Sequence, residues 1–423
     1  MVHGPGAIWA IIAGMMQCRS CGASVTQSFV DLGMSPLCES YLPAEKLNHM
    51  EPFYPLHVWV CGSCFLVQLE QYVSEGEIFT EYAYFSSFAA SWVKHAEDYA
   101  VAMIDRLKLG PRSFVVELAS NDGYLLQHFV KRGVPCLGIE PAANVAKAAV
   151  EKGVETLVKF FDDKLGAGLA AEGKQADLIA GNNVLAQVPD VNSFVAGIHH
   201  LLKPGGVATL EFPHLQRLME QNQFDTIYHE HFSYFSLLAV ENIFERNGLS
   251  LFDVEELWTH GGSLRIYAGR KDGVRRAPSE RLLALRRREE ELGFRKLETY
   301  RAFEEKVRAT KRRLLQLLIG LKDQGKRVVG YGAPGKGNTL LNYCGIRSDL
   351  LEFTVDKNPY KQGKFLPGTH VPIHPPEKIA KARPDYILIL PWNFKDEILA
   401  QLAGAREWGA RFIVPIPEPA VVQ

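Results

Sequence analysis

Tyr228, His229, Glu230 and His231 stand in a row inside the stretch TIYHEHFSYFS, which runs from Thr226 to Ser236. An imidazole takes a proton near neutral pH, a carboxylate beside it orients the ring or raises its basicity, and a phenol donates a hydrogen bond to a developing oxyanion. Such a set can pull a proton from a carbon next to a ketone and hold the enolate that results. For a lone histidine, packing on a core strand would be the better reading; four such residues in succession argue for chemistry. His229 and His231 also raise a metal reading, but no third ligand follows at a suitable spacing.

Two other constellations carry chemistry. Cys18 and Cys21 in CRSCG, with Cys61 and Cys64 in CGSC, give two C-x-x-C hooks whose four thiolates suit a tetrahedral zinc. Four thiolates leave no position open for water, so the expected zinc is structural. The surrounding block is small for a core of its own, which is an independent reason for a metal staple. Near the other end, Gly330, Gly332 and Gly335 stand at G-x-G-x-x-G spacing after an apolar strand, with Asp356 closing the next strand. Taken alone this is a dinucleotide fingerprint and raises an NAD-dependent oxidoreductase module. Lys336, just past the last glycine, suits instead a pyrophosphate held at a helix N-terminus; a degenerate structural domain is the third reading.

The elements that must position these groups fall into blocks. A chain of 423 residues exceeds one core, and 47 basic against 48 acidic residues leave a net charge of −1, with no general pull toward nucleic acid or an anionic membrane. The apolar run AIWAIIAGMM is too short to span a bilayer and lacks a basic leader, so residues 1–15 are expected to be an apolar N-terminal extension, with Met15 and Met16 as alternative starts. Seven cysteines, an odd number, fit a reducing cytoplasm. Residues 16–85 form the expected zinc-binding domain, and residues 86–275 alternate helix and strand patterns from RSFVVELAS to GSLRIYAGR, as an α/β sheet does. Residues 276–423 hold a charged, Leu-spaced connecting helix, expected to be solvated and two-faced rather than a coiled-coil site, and a second α/β domain.

In FVVELASNDGYLLQHF a strand ends at Glu117 and turns through Ala119, Ser120, Asn121, Asp122 and Gly123 into a helix. This is how a doubly wound sheet opens a nucleotide pocket at its carboxyl edge, yet one glycine makes no phosphate cradle. Glu140 ends the next strand before Pro141, where a carboxylate accepts both hydroxyls of a ribose; Asp162 or Asp163 follows the third strand, and Asn182 and Asn183 follow the fourth. The order resembles the class I S-adenosylmethionine methyltransferases.

The double C-x-x-C block, ELASNDGYLL, GIEPA, NNVLAQVPD, EFPHL, YHEHFSYFS and GYGAPGKGNTLLNYC together resemble the nucleotide-sugar C-methyltransferase family, over essentially the whole chain after Met16. The resemblance implies a class I methyltransferase sheet between a small zinc-binding domain and a C-terminal Rossmann-like domain. It implies a methyl transfer to the carbon next to the ketone of a nucleotide-linked keto-deoxysugar, typically C-3, by a cytoplasmic monomer or weak oligomer that takes S-adenosylmethionine as donor. His231 corresponds to the base, with Glu230 and Tyr228 beside it and Tyr82 reaching in from the zinc domain; Gly335, Lys336, Gly337 and Asn338 are expected on the substrate. One departure is plain. Where the family carries a histidine in NVLAHVPD, this chain has Gln187, which cannot carry a proton, so it positions substrate or the sugar differs. Another small-molecule acceptor, and the oxidoreductase, stay open as alternatives.

Overall fold

The computed structural model describes residues 16–79, 85–88 and 90–422; the extension 1–15 and Tyr82 lie outside the described residues. Among the described residues, three sheets organise the fold. The first joins Gln27–Ser35 (β1), Tyr54–Val60 (β2) and Val67–Leu69 (β3) as an antiparallel meander, then takes a fourth strand, Ser233–Tyr234 (β9), from far along the chain. The zinc-binding block therefore includes the residues just after His231, a link that composition along the chain could not reveal.

The central sheet has seven strands: Val115–Leu118 (β4), Cys136–Ile139 (β5), Thr156–Leu157 (β6), Ala176–Asn182 (β7), Leu202–Pro213 (β8), Leu249–Leu257 (β10) and Ser263–Arg270 (β11). Their order is β10-β11-β8-β7-β4-β5-β6. Strands β4 to β8 run parallel, and β11 inserts between β8 and β10, antiparallel to both. All four residues of β4 are buried, as a strand covered on both faces demands. Strand order reverses between β4 and β7, so the crevice at their carboxyl ends is where such a sheet takes a ligand.

The third sheet, β14-β13-β12-β15-β16-β17, is built from Val328–Tyr331 (β12), Thr354–Val355 (β13), Ile373–His374 (β14), Tyr386–Ile389 (β15), Arg411–Val414 (β16) and Ala420–Val422 (β17), with only β17 antiparallel. The charged connector is two helices, Glu280–Glu291 and Leu297–Asp323, parted at Gly293, whose φ of +79° suits a helix end. It is two-faced, with one side solvated and the other buried. Tyr300, Phe303, Val307, Thr310, Leu314, Leu318 and Leu321 recur every three or four residues and are buried, and Phe303 stacks on Phe29 of β1 at 4.8 Å. This stripe welds the first and third sheets into one apolar core.

Candidate active site

The four hook cysteines meet. Their sulfurs all lie within 4.8 Å of one another, with Cys18–Cys64 at 3.5 Å and Cys21–Cys61 at 3.6 Å. A tetrahedron of zinc–sulfur bonds of about 2.3 Å has edges of about 3.8 Å, so the set fits one zinc ion. Each hook is a tight turn, closed by Gly22 N donating to Cys18 O and Phe65 N to Cys61 O, with the residue after the second cysteine left-handed at φ +73° and +61°. Strands β1 and β2 fill the long gap between hooks by running out and back as a hairpin.

A cleft of about 460 Å³ opens at the carboxyl ends of β4, β5 and β7. Of the residues expected on a cofactor, Ala119, Asn121, Glu140, Pro141, Asn182 and Asn183 line it; Glu117, Ser120, Asp122 and Gly123 lie behind it. The loop is strained where it turns: Ala119 and Asn121 are left-handed at φ +56° and +49°. Glu140 accepts from Asn121 N and Ala142 N, both at 2.9 Å, and keeps lone pairs for a ligand. Glu117 is fully buried, and burial, then the nearby Glu140 charge, hold its carboxyl well above the usual range against a hydrogen bond from Tyr124. Asp122 is spent on Lys152 Nζ at 2.9 Å and Ser87 N at 3.3 Å, and Asn121 Oδ1 accepts from Ser86 N at 2.9 Å, so the two clasp residues 86–87 over the cleft. Asp162 caps the helix Asp163–Ala171 by accepting from Leu165 N.

Tyr228 to His231 form a turn, closed by His231 N donating to Tyr228 O at 2.9 Å. A strand would set both histidines on one face; the turn separates them. His229 donates to Pro55 O at 3.1 Å and packs edge-on against Tyr54, away from the cleft, whereas Tyr228, Glu230 and His231 line it. His231 Nδ1 lies 3.0 Å from Thr226 O. A carbonyl only accepts, so Nδ1 carries the ring proton and Nε2 is the acceptor. Thr226, rather than the expected Glu230, orients the ring, while Glu230 accepts from the Cys38 thiol at 3.7 Å.

Burial, followed by the charge of Lys336, lowers His231 to about 4, and the same two causes lower His260 to about 4. Both values lie below the unfolded histidine value of about 6.5, so the unfolded chain binds these protons first as pH falls. The stability held by the two neutral rings is complete above about pH 6.5 and lost progressively toward pH 4. Melting scans between pH 7 and 4 should show the midpoint falling across that window, and less steeply in a His231→Asn/His260→Asn double variant. An equal slope in both proteins would contradict the burial of neutral rings.

The glycine-rich turn answers the dinucleotide reading. Asp356, at the end of the next strand, accepts from Ala333 N of the glycine-rich turn at 2.7 Å and from Asn358 N of its own turn at 2.8 Å. A Cβ on Gly335 would meet Cys38 Sγ at 2.8 Å, and one on Gly337 would meet Leu390 Cβ at 3.0 Å. The glycines thus admit the zinc domain and a neighbouring strand end. Asn338 is buried and donates to Cys38 O at 2.5 Å, so it and Gly337 sit behind the wall. Gly335 and Lys336 do line the cleft, with Gln187. Lys336 Nζ donates to Asn393 Oδ1 at 2.7 Å and lies 4.7 Å from the Trp392 ring, and burial lowers its pKa against the pull of Asp225.

Sequence reasoning missed the floor of the cleft. Trp92, Trp258, Thr259 and His260 line it. Glu211, at the end of β8, accepts from Arg265 at 2.8 Å, His95 at 2.9 Å and Thr259 at 2.7 Å. The available signals were the acid of LEFP at a strand end and the histidine before two glycines in WTHGGS.

Comparison with known proteins bears on the whole chain. Residues 18–79 match a zinc binding domain, residues 92–254 a methyltransferase domain, and residues 258–417 a C-methyltransferase C-terminal domain. C-methyltransferase NovU of Streptomyces niveus is 37% identical over 415 residues, covering 97% of this chain and 98% of that protein. Among solved structures, the PH0226 protein of Pyrococcus horikoshii is 15% identical with a TM-score of 0.36, covering 46% of this chain and 98% of its own. An S-adenosylmethionine-dependent methyltransferase of Clostridium acetobutylicum is 12% identical with a TM-score of 0.35, covering 42% and 91%.

Proposed function

Because the chain belongs to the S-adenosylmethionine-dependent C-methyltransferases that carry an N-terminal zinc-binding domain, we propose that it methylates the carbon next to the ketone of a nucleotide-linked keto-deoxysugar, typically C-3. The observation that carries this reading is the His231 tautomer. An imidazole whose Nδ1 proton is committed to Thr226 offers Nε2 as a base in the same cleft as Glu140. Oxygen and nitrogen acceptors bring their own lone pairs; carbon needs such a base.

When bound, S-adenosylmethionine supplies an electrophilic methyl on its sulfonium. Glu140 would accept the ribose hydroxyls. The enclosed side-chain oxygens of Asn182 and Asn183, both lining the cleft, are the acceptors that an ammonium group answers. His231 Nε2 takes the proton from the substrate carbon, the C–H pair forms the enolate double bond, and the carbonyl pair moves onto oxygen, toward which Tyr228 donates. The enolate carbon would then take the methyl that S-adenosylmethionine supplies when bound, leaving the sulfur pair on the donor, and His231 releases its proton to solvent. Lys336 and the N-terminus of the helix Gly335–Cys344 hold the anionic part of the substrate. Gln187 positions the sugar.

Incubation with a panel of nucleotide-linked 4-ketosugars, read by mass spectrometry and by solvent deuterium entering the α position, tests the reading. Methylated product with a new carbon–carbon bond is expected. A protein that binds the donor yet neither methylates nor exchanges any of them would sink it. Glu140→Ala should weaken donor binding by about 1–3 kcal/mol, the cost of leaving hydroxyls without a charged acceptor. Calorimetry giving an unchanged affinity would move the ribose contact elsewhere.

A further inference from the structure

We propose that His260 is a second catalytic residue, donating a hydrogen bond from Nε2–H to the ketone oxygen as it becomes the enolate. This rests on the enolate reading above. His260 closes the hairpin between β10 and β11 and lines the cleft that His231 lines. Its backbone is left-handed at φ +54° and ψ +23°, a conformation that strains a residue with a Cβ and clusters at functional sites. The surroundings impose it. Gly261 and Gly262 follow at φ +85° and +119°, Thr259 O accepts from Gly262 N and from Ser263 Oγ at 2.9 Å, and Gln223 Nε2 donates to Gly261 O at 2.7 Å.

Beneath the hairpin, Thr259 Oγ1 donates to Glu211, whose carboxyl is held at about 2 because His95, Arg265 and Thr259 outweigh its burial. A fixed charge thus anchors the residue next to His260. The imidazole meets Trp92 edge-on at 5.3 Å, so its plane is set too.

The ring presents one usable nitrogen. Nδ1 is enclosed and has no hydrogen-bond partner among the described residues, so a proton there would be stranded. The neutral ring therefore carries its proton on Nε2, the nitrogen left to meet a molecule in the cleft. Burial and Lys336 keep it neutral, and a neutral imidazole is a suitable donor to an enolate because it polarises the oxygen without protonating it. His231 removes the proton; His260 receives none, so the proton balance of the reaction is unchanged.

His260→Asn tests this, because asparagine tolerates the left-handed backbone while the imidazole is lost. Exchange of the substrate α-hydrogen without methyl donor, and kcat, should both fall by about 10²–10³-fold, with donor affinity and melting midpoint near wild type. His260→Gly, which relieves the strain, should show the same loss and regain part of it with added imidazole. Wild-type exchange in both variants would overturn the role of His260 alone. So would a loss that tracks donor affinity or melting midpoint and is not rescued by imidazole, since that marks a structural part. Failure of the wild-type enzyme to exchange any ketosugar would overturn the substrate reading and this inference with it.

Discussion

His231→Asn should lower turnover by roughly 10²–10⁴-fold while the affinity for S-adenosylmethionine stays near wild type. Asparagine keeps a polar side chain that can donate to Thr226 O, so the turn closed by His231 N and Tyr228 O should persist. The acceptor nitrogen is what disappears. Exchange of the α-hydrogen with solvent deuterium, measured without donor, reports enolate formation alone and should stop in the same variant. Glu230→Gln should cost less than an orienting role would demand, because its carboxylate accepts from Cys38 whereas the ring proton goes to Thr226. Tyr228, whose ring centroid lies 4.1 Å from that of His231, should give an intermediate loss when changed to phenylalanine. If His231→Asn retained exchange and turnover, the base would have to be sought in Tyr228 or Tyr82.

The parts legible in the sequence were those in which one stretch of chain carries the whole signal. Val115 to Leu118 announce a buried parallel strand, the four cysteines announce their metal, and Glu140 stands at the strand end where a ribose acid belongs. What stayed hidden depends on partners distant in the chain. The G-x-G-x-x-G spacing is the same whether Gly335 makes room for a pyrophosphate or for Cys38, nearly 300 residues away, and only the fold distinguishes them. Glu289 looks like one more charge on a solvated helix, yet it is buried, accepts from Leu237 N, Leu238 N and His214, and so caps the helix that follows the histidine turn. The turn at His260 is anchored from three other elements: Glu211 holds Thr259 before it, Gln223 holds Gly261 after it, and Trp92 meets its ring.

Loss of the metal should separate catalysis from cofactor binding. Zinc held by four cysteines is worth about 10–16 kcal/mol of apparent folding energy in small zinc domains at pH 7, more than a block of this size gains from its apolar core. The purified protein is expected to hold one zinc per chain by elemental analysis, and Cys61→Ser or displacement of the metal by a mercurial should unravel the hooks around Cys18 and Cys64. Strand β3 begins three residues after Cys64 and pairs with β9, Val67 opposite Tyr234, while Leu69 N donates to Phe232 O at 3.0 Å. His231 is the next residue back. On its other side, Pro55 O accepts a hydrogen bond from His229 and Cys38 meets both Glu230 and Gly335. The histidine turn is therefore braced by the zinc domain, whereas Asn121, Glu140 and Asn182 stand on the central sheet. Zinc-depleted protein should lose most of its turnover and α-hydrogen exchange while calorimetry still finds S-adenosylmethionine bound within about tenfold of the native affinity, a margin of about 1.4 kcal/mol. Full turnover without zinc would break the link between hooks and turn, and parallel loss of donor binding would place the metal's influence on the central sheet as well.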